Sequence, residues 1–133
     1  WVMGFAGMYL LQDEWAILVV ALAPFLGHLF SPFLGFKGGK GVATALGSVL
    51  GVSPLVGLLL LLAWIAAVAI WRYSSGGALT AFGLFPVIAA LIHPSIAFML
   101  FSLAVSGLIA IKHKENIERL RNGTESKIGG RKN

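Results

Sequence analysis

VATALGSVLGVSPLVGLLLLLAWIAAVAIW, residues 42–71, is the stretch on which the fold turns. As one unbroken helix its 30 residues would run about 45 Å, against roughly 30 Å of hydrocarbon in a bilayer. Gly51, Val52, Ser53 and Pro54 offer a break in the middle, because proline can open a helix but disrupts its interior. The two readings differ in where they put charge. A single crossing would set Lys37 and Lys40 opposite Arg72 and leave the basic C-terminus outside. A hairpin puts Lys37, Lys40, Arg72 and the C-terminus on one side, with Asp13, Glu14 and His93 on the other. Positive charge gathers on the cytoplasmic side of membrane proteins, so the hairpin is the expected topology. Its short limb, 42–52, must lean on protein, since irregular backbone at membrane depth has to be covered.

The rest of the chain supports a membrane reading. It is 58% hydrophobic and 11% charged, whereas a soluble domain is roughly 45 to 50% apolar and about 25% charged. Polar breaks near 12–14, 37–40, 51–54, 72–75 and 93–94 leave apolar segments at about 15–36, 42–52, 55–71, 76–92 and 95–111. Most are close to the roughly 17-residue lower limit for a spanning helix. Residues 1–11 are apolar but too short to cross, and read as the end of a helix that begins upstream. Seven of the ten basic residues follow position 111, so the net charge of +5 belongs to the C-terminus. Beside lipid-grade segments, that charge points to anionic headgroups and sidedness rather than to nucleic acid. The absence of cysteine excludes disulfides and thiolate metal sites, and three scattered histidines make no metal site. Seventeen glycines suggest close helix packing, with Gly47, Gly51, Gly57, Gly83 and Gly107 the expected contact points.

The strongest chemical signal is 35–44, with Gly38, Gly39 and Gly41 around Lys40 and with Lys37 just ahead. The spacing matches neither a Walker A loop nor a dinucleotide fingerprint. Successive glycine N–H groups can still converge on an anion, and a helix opening near Val42 offers its unpaired donors to the same point. Lys37 and Lys40 add charge, and Thr44 offers a hydroxyl in the first turn. The same residues also suit a plain turn whose lysines only fix topology. Further along, His113, Asn116, Ile117 and Leu120 share one helical face, so imidazole and amide are expected to point together towards the membrane surface. Glu115 and Arg119 form a supporting pair in the favourable order. An ordinary interfacial helix would show the same pattern. Ser75, after Arg72 and Tyr73, suits either an anion donor or a helix cap. His28, inside a spanning segment, suits either a functional or a packed histidine.

Gly27-His28, the run Phe36-Lys37-Gly38-Gly39-Lys40-Gly41-Val42-Ala43-Thr44, Arg72-Tyr73-Ser74-Ser75 and 113–120 occur in one order. In that order they resemble the bacterial acyl-phosphate:glycerol-3-phosphate acyltransferases, the PlsY family, from about Trp15 to Arg121. The resemblance implies an all-α polytopic bundle, here the last six of about seven spans with the first of these partial. It further implies an acyltransferase region at 1–121 and a basic, disordered cytoplasmic tail at 122–133. About 70 residues, including a GSGNxGATN motif with a following arginine, are expected upstream, so this extent of chain is expected to be inactive alone. The implied reaction moves a fatty acyl group from acyl phosphate to glycerol 3-phosphate, giving lysophosphatidate and inorganic phosphate at the bacterial inner membrane. No cofactor, metal or nucleic acid is implied; the partners are the two substrates and membrane lipid. His113 and Asn116 would be catalytic. Lys37, Gly38, Gly39, Lys40, Gly41, Thr44 and Ser75 would hold phosphate, with His28 and Arg72 as further candidates. The base would be His113, whose side chain titrates near 6.5 when unperturbed, or a substrate phosphate. A transporter or flippase for a phosphorylated solute is the alternative that would use the same loop.

Overall fold

A computed structural model describes residues 13–30 and 41–129, and among these every regular element is a helix. Asp13 starts α1 (Glu14–Leu29) by accepting the Ala16 N–H on Oδ2 at 3.3 Å, satisfying one of the orphan donors of the first turn. Gly41, at φ 74°, opens α2 (Val42–Val52) in the left-handed region that glycine enters without a steric penalty. Ser53 is extended, and Pro54 then begins α3 (Pro54–Trp71) at a position where the missing N–H does no harm. The break expected at 51–54 therefore exists. Arg72, at φ 61°, ends α3, and α4 (Ser74–Ile92) follows after Tyr73. Ser95 caps α5 (Ile96–Lys112) through its Oγ, which accepts the Phe98 N–H at 3.0 Å. His113 is the corner between α5 and α6 (Lys114–Arg121), which meet at a 62° bend.

Packing runs in a closed ring, α1 on α2, α2 on α3, α3 on α4, α4 on α5 and α5 back on α1. Its centre is aromatic. Phe85 meets Phe82, Phe98 and Phe101 edge-on with centroids 6.0, 5.9 and 6.2 Å apart, the geometry in which ring edges face ring faces. Outward-facing Val19, Leu58, Leu62, Ile65, Ile70, Leu91 and Ile96 remain exposed, an apolar belt suited to lipid. By length and composition α3 and α4 can each cross a membrane, and the bent pair α5–α6 can form a third crossing. α1, α2 and α5, at 16, 11 and 17 residues, are shorter, and residues 1–11, read as a partial helix, lie outside the described residues.

The hairpin topology is visible in which ends meet. Residues from the starts of α2 and α4 and from the corner at His113 line one cavity. At the opposite end Glu14 accepts hydrogen bonds from His93 Nε2 at 2.8 Å and Ser95 Oγ at 2.6 Å. Two close helix approaches depend on glycine. A Cβ at Gly57 would lie 2.7 Å from the Leu50 Cα, and one at Gly77 2.6 Å from Val68 Cγ2. Gly57 and buried Gly51 were expected to be packing positions. Gly83 and Gly107 were too, but both are exposed with nothing near a would-be Cβ; composition marks glycine-rich packing without saying which face each glycine takes.

Candidate active site

The first turn of α2, the first turns of α4 and the α5–α6 corner enclose a cavity of about 490 Å³. Its mouth is polar, with Ser75, His113, Asn116 and Glu125. Below the mouth it is apolar, lined by Leu46, Leu60, Leu61, Trp64, Ala78, Ala81 and Phe82. The bend explains how two residues beyond a spanning helix reach inward. With α5 ending at Lys112 and α6 starting at Lys114, the corner turns the His113 ring in, where it is 2% exposed, and Asn116 follows at 5%. The expectation that the two point together holds. They line the cavity, where the helical face alone was read as pointing towards the membrane surface; the 62° bend between α5 and α6 sets that direction.

His113 Nδ1–H donates to the Ile109 carbonyl at 2.8 Å. That bond assigns the proton to Nδ1 and puts the basic lone pair on Nε2. Asn116 Nδ2 donates to Glu125 Oε1 at 2.9 Å; a carboxylate can only accept, so this contact fixes which end of the amide is which. Asn116 Oδ1 is buried and, among the described residues, has no hydrogen-bond donor. Such an acceptor costs stability unless something donates to it.

Glu125 is the residue that sequence reasoning missed. Ser75 Oγ and Asn116 Nδ2 both donate to its Oε1, at 3.2 and 2.9 Å, and Arg119 Nε donates to Oε2 at 2.8 Å. Burial raises its pKa, but the hydrogen bonds from Arg119, Asn116 and Ser75 and the Arg119 charge outweigh this and hold the carboxyl below its ordinary range. The segment beyond it is also seated. Ile128 and Arg72 exchange two hydrogen bonds, Ile128 N–H to the Arg72 carbonyl and Arg72 Nη2 to the Ile128 carbonyl, both 2.7 Å, and Lys127 lies over the Tyr73 ring at 5.7 Å. Within 122–133, expected as a disordered tail, Glu125 thus lines the cavity and Lys127 and Ile128 contact the Arg72–Tyr73 turn. Composition alone reads as tail here; the signal was Glu125 as the one acid among basic residues. Arg119, expected to pair with Glu115, is 3.8 Å from that exposed carboxylate and much closer to Glu125.

Removal of this anchor has a defined cost. Glu125→Ala is expected to lower the unfolding free energy of the full-length protein by about 1–3 kcal/mol, towards the low end because Arg119 is 42% exposed. A carboxyl with a lowered folded-state pKa stabilises above its unfolded value and loses that contribution as pH falls through the folded value. The gap between wild type and Glu125→Ala should therefore be full at neutral pH and close under acid. Equal thermal midpoints at neutral pH would contradict the assignment.

The remaining candidates divide. Gly41 sits buried at the α2 N-terminus. Thr44 is not on the cavity: Val42, Ala43 and Leu46 line it, and at 100° per residue Thr44 falls on the far side of α2. His28 is exposed on the last turn of α1, and the exposed Arg72 side chain is spent on Ile128. Neither lines the cavity. Lys37, Gly38, Gly39 and Lys40 lie outside the described residues. Val42, two residues after Lys40, lines the cavity, and Phe30, seven residues before Lys37, lies under the Nζ of Lys112, the neighbour of His113, at 4.8 Å. Among the described residues no three His, Asp or Glu side chains gather as a metal-holding group.

The described residues form a membrane-type helix bundle with a cavity polar at one end and apolar along the rest. Comparison with known proteins gives this class a family. The family model for glycerol-3-phosphate acyltransferase matches residues 1–123. The glycerol-3-phosphate acyltransferase of Geobacter sulfurreducens is 47% identical over 116 residues, covering 87% of this chain and 59% of its own. That of Neisseria meningitidis serogroup B is 45% identical over 115 residues, covering 86% and 58%. Crystal structures of PlsY, an integral membrane glycerol 3-phosphate acyltransferase, superpose with TM-scores of 0.89 in the glycerol 3-phosphate form and 0.88 in the lysophosphatidic acid form. Both are 35% identical and cover 95% of this chain and 64% and 65% of theirs. The chain belongs to the glycerol-3-phosphate acyltransferase family. It spans 59% of the length of the Geobacter relative.

Proposed function

We propose that the protein to which this chain belongs transfers a fatty acyl group from acyl phosphate to glycerol 3-phosphate at the cytoplasmic face of the bacterial inner membrane. The observation that carries this reading is the single cavity, polar at the α5–α6 corner and apolar beneath it. An acyl phosphate has that polarity, with its anionic head beside Ser75, His113 and Asn116 and its chain along Leu60, Leu61 and Trp64. The α2 N-terminus contributes unpaired backbone donors beside the head. Because no lysine or arginine is among the described residues that line the cavity, the positive charge that neutralises phosphate comes from Lys37 and Lys40.

The chemistry asks little of the protein. Acyl phosphate is a mixed anhydride with a good leaving group, so no protein nucleophile is needed, only alignment and neutralisation of charge. The glycerol hydroxyl oxygen attacks the acyl carbonyl carbon. The new ester C–O bond forms as the carbon–phosphate oxygen bond breaks, and inorganic phosphate leaves with the bonding pair. The hydroxyl proton passes to His113 Nε2, the nitrogen left basic by the Nδ1 bond to Ile109. Asn116 Oδ1, which has no donor among the described residues, accepts from the glycerol part of the substrate.

Growth is the simplest test. Expression of the full-length protein is expected to restore growth to a bacterial strain lacking its acyltransferase. Failure to rescue, with the protein present and folded in the membrane, would reject the reading.

A further inference from the structure

We propose that Phe82 and Leu60 form a fixed end wall to the apolar arm, and that this wall, with the small Ala78 and Ala81 beside it, sets which acyl-chain lengths the site accepts. The inference rests on the acyl-transfer reading above and deepens it to a choice among substrates.

Depth comes from helix geometry. Ser75 stands at the mouth, and Phe82, seven residues further along α4, lies about 10 Å deeper at 1.5 Å per residue. Leu60, the deepest lining residue of α3, is eleven residues before the end of that helix, about 16 Å from it. The arm thus has a bottom within the bundle.

That bottom is stiff. Phe82 is 2% exposed and Leu60 fully buried. Phe82 packs edge-on against Phe85, which is itself held by Phe98 and Phe101. Ser106 Oγ donates to the Phe82 carbonyl at 2.6 Å, pinning the backbone of α4 to α5 at this level. A wall backed by close-packed rings does not yield to one more methylene at low cost. The side of the arm is equally specified. Ala78 and Ala81, both buried, leave room where larger side chains would fill it. Gly77 lets Trp64 lie against α4: a Cβ there would stand 3.0 Å from Trp64 Cδ1 and 2.6 Å from Val68 Cγ2.

A chain shorter than the arm gives up burial, and a longer one meets the wall. Each methylene accommodated is expected to raise kcat/KM about fourfold until the wall is reached, after which the gain stops. Side chains at the wall should then move the optimum. The experiment measures kcat/KM of the full-length protein for a homologous series of saturated acyl phosphates. Ala81→Leu, which narrows the arm, is expected to lose about 10-fold or more on the longest chains while short ones stay within about twofold. Phe82→Leu, which shortens the wall residue, should move the optimum to longer chains. KM for glycerol 3-phosphate and the unfolding midpoint identify folded variants, and Ala78→Val is the smaller narrowing change if Ala81→Leu does not fold. An unchanged chain-length profile in folded narrowing and deepening variants overturns the end wall and leaves acyl transfer intact. Absence of acyl transfer in the wild type, by contrast, removes the reading on which the wall depends.

Discussion

His113→Ala in the full-length protein is expected to lower kcat by about 10²- to 10⁴-fold, the usual contribution of a positioned acid–base group, with KM for glycerol 3-phosphate changing little. The reason lies in the corner between α5 and α6. His113 is buried there, its Nδ1 proton is committed to the Ile109 carbonyl, and its ring faces the same cavity as Asn116 and Ser75. Lys114, one residue on, is exposed. Lys114→Ala should therefore leave turnover near wild type, although it removes a positive charge from the same short helix. Equal losses in the two variants would mean that surface charge, and not proton transfer, was being measured. A folded His113→Ala protein with wild-type kcat would assign the proton to a substrate phosphate instead.

Lys40→Ala is expected to reduce kcat/KM by about 10- to 100-fold, from the loss of one charge-assisted contact of roughly 1.5–3 kcal/mol to phosphate. The loop from 37 to 40 leads directly into Gly41, whose left-handed backbone turns the chain into α2 at the cavity mouth. Among the described residues that line the cavity there is no lysine or arginine. A phosphate held there needs the loop lysines. Unchanged kinetics in a folded Lys40→Ala protein would reduce 35–44 to a topological turn.

The hairpin was legible in 42–71 because its length conflicts with bilayer thickness and Gly51 to Pro54 offer a break in the middle. Ser75, His113 and Asn116 were legible as individual groups, since hydroxyl, imidazole and amide carry chemistry wherever they fall. What spacing could not show was the bend at His113. The shared face of 113–120 says which side chains go together but not where that face is aimed, and the 62° corner aims it into the bundle. Glu125 was hidden for a related reason. Its three partners come from α4 and α6, about 50 and within 10 residues away in sequence, and local composition does not report contacts at such separations. Thr44 lies in the first turn of α2 as read, but the cavity is lined by Val42, Ala43 and Leu46, because the face each residue takes depends on how α2 rolls against α1 and α3.

The most direct test of acyl transfer uses purified full-length protein in detergent, where no compartments exist and transport gives no signal. Given acyl phosphate and glycerol 3-phosphate together, it should form lysophosphatidate and release inorganic phosphate in equal amounts, with neither product ester nor matching phosphate when glycerol 3-phosphate is withheld. A folded protein that forms no ester under these conditions, but shows counterflow of a phosphorylated solute once sealed into vesicles, would contradict the account and make the cavity a carrier site.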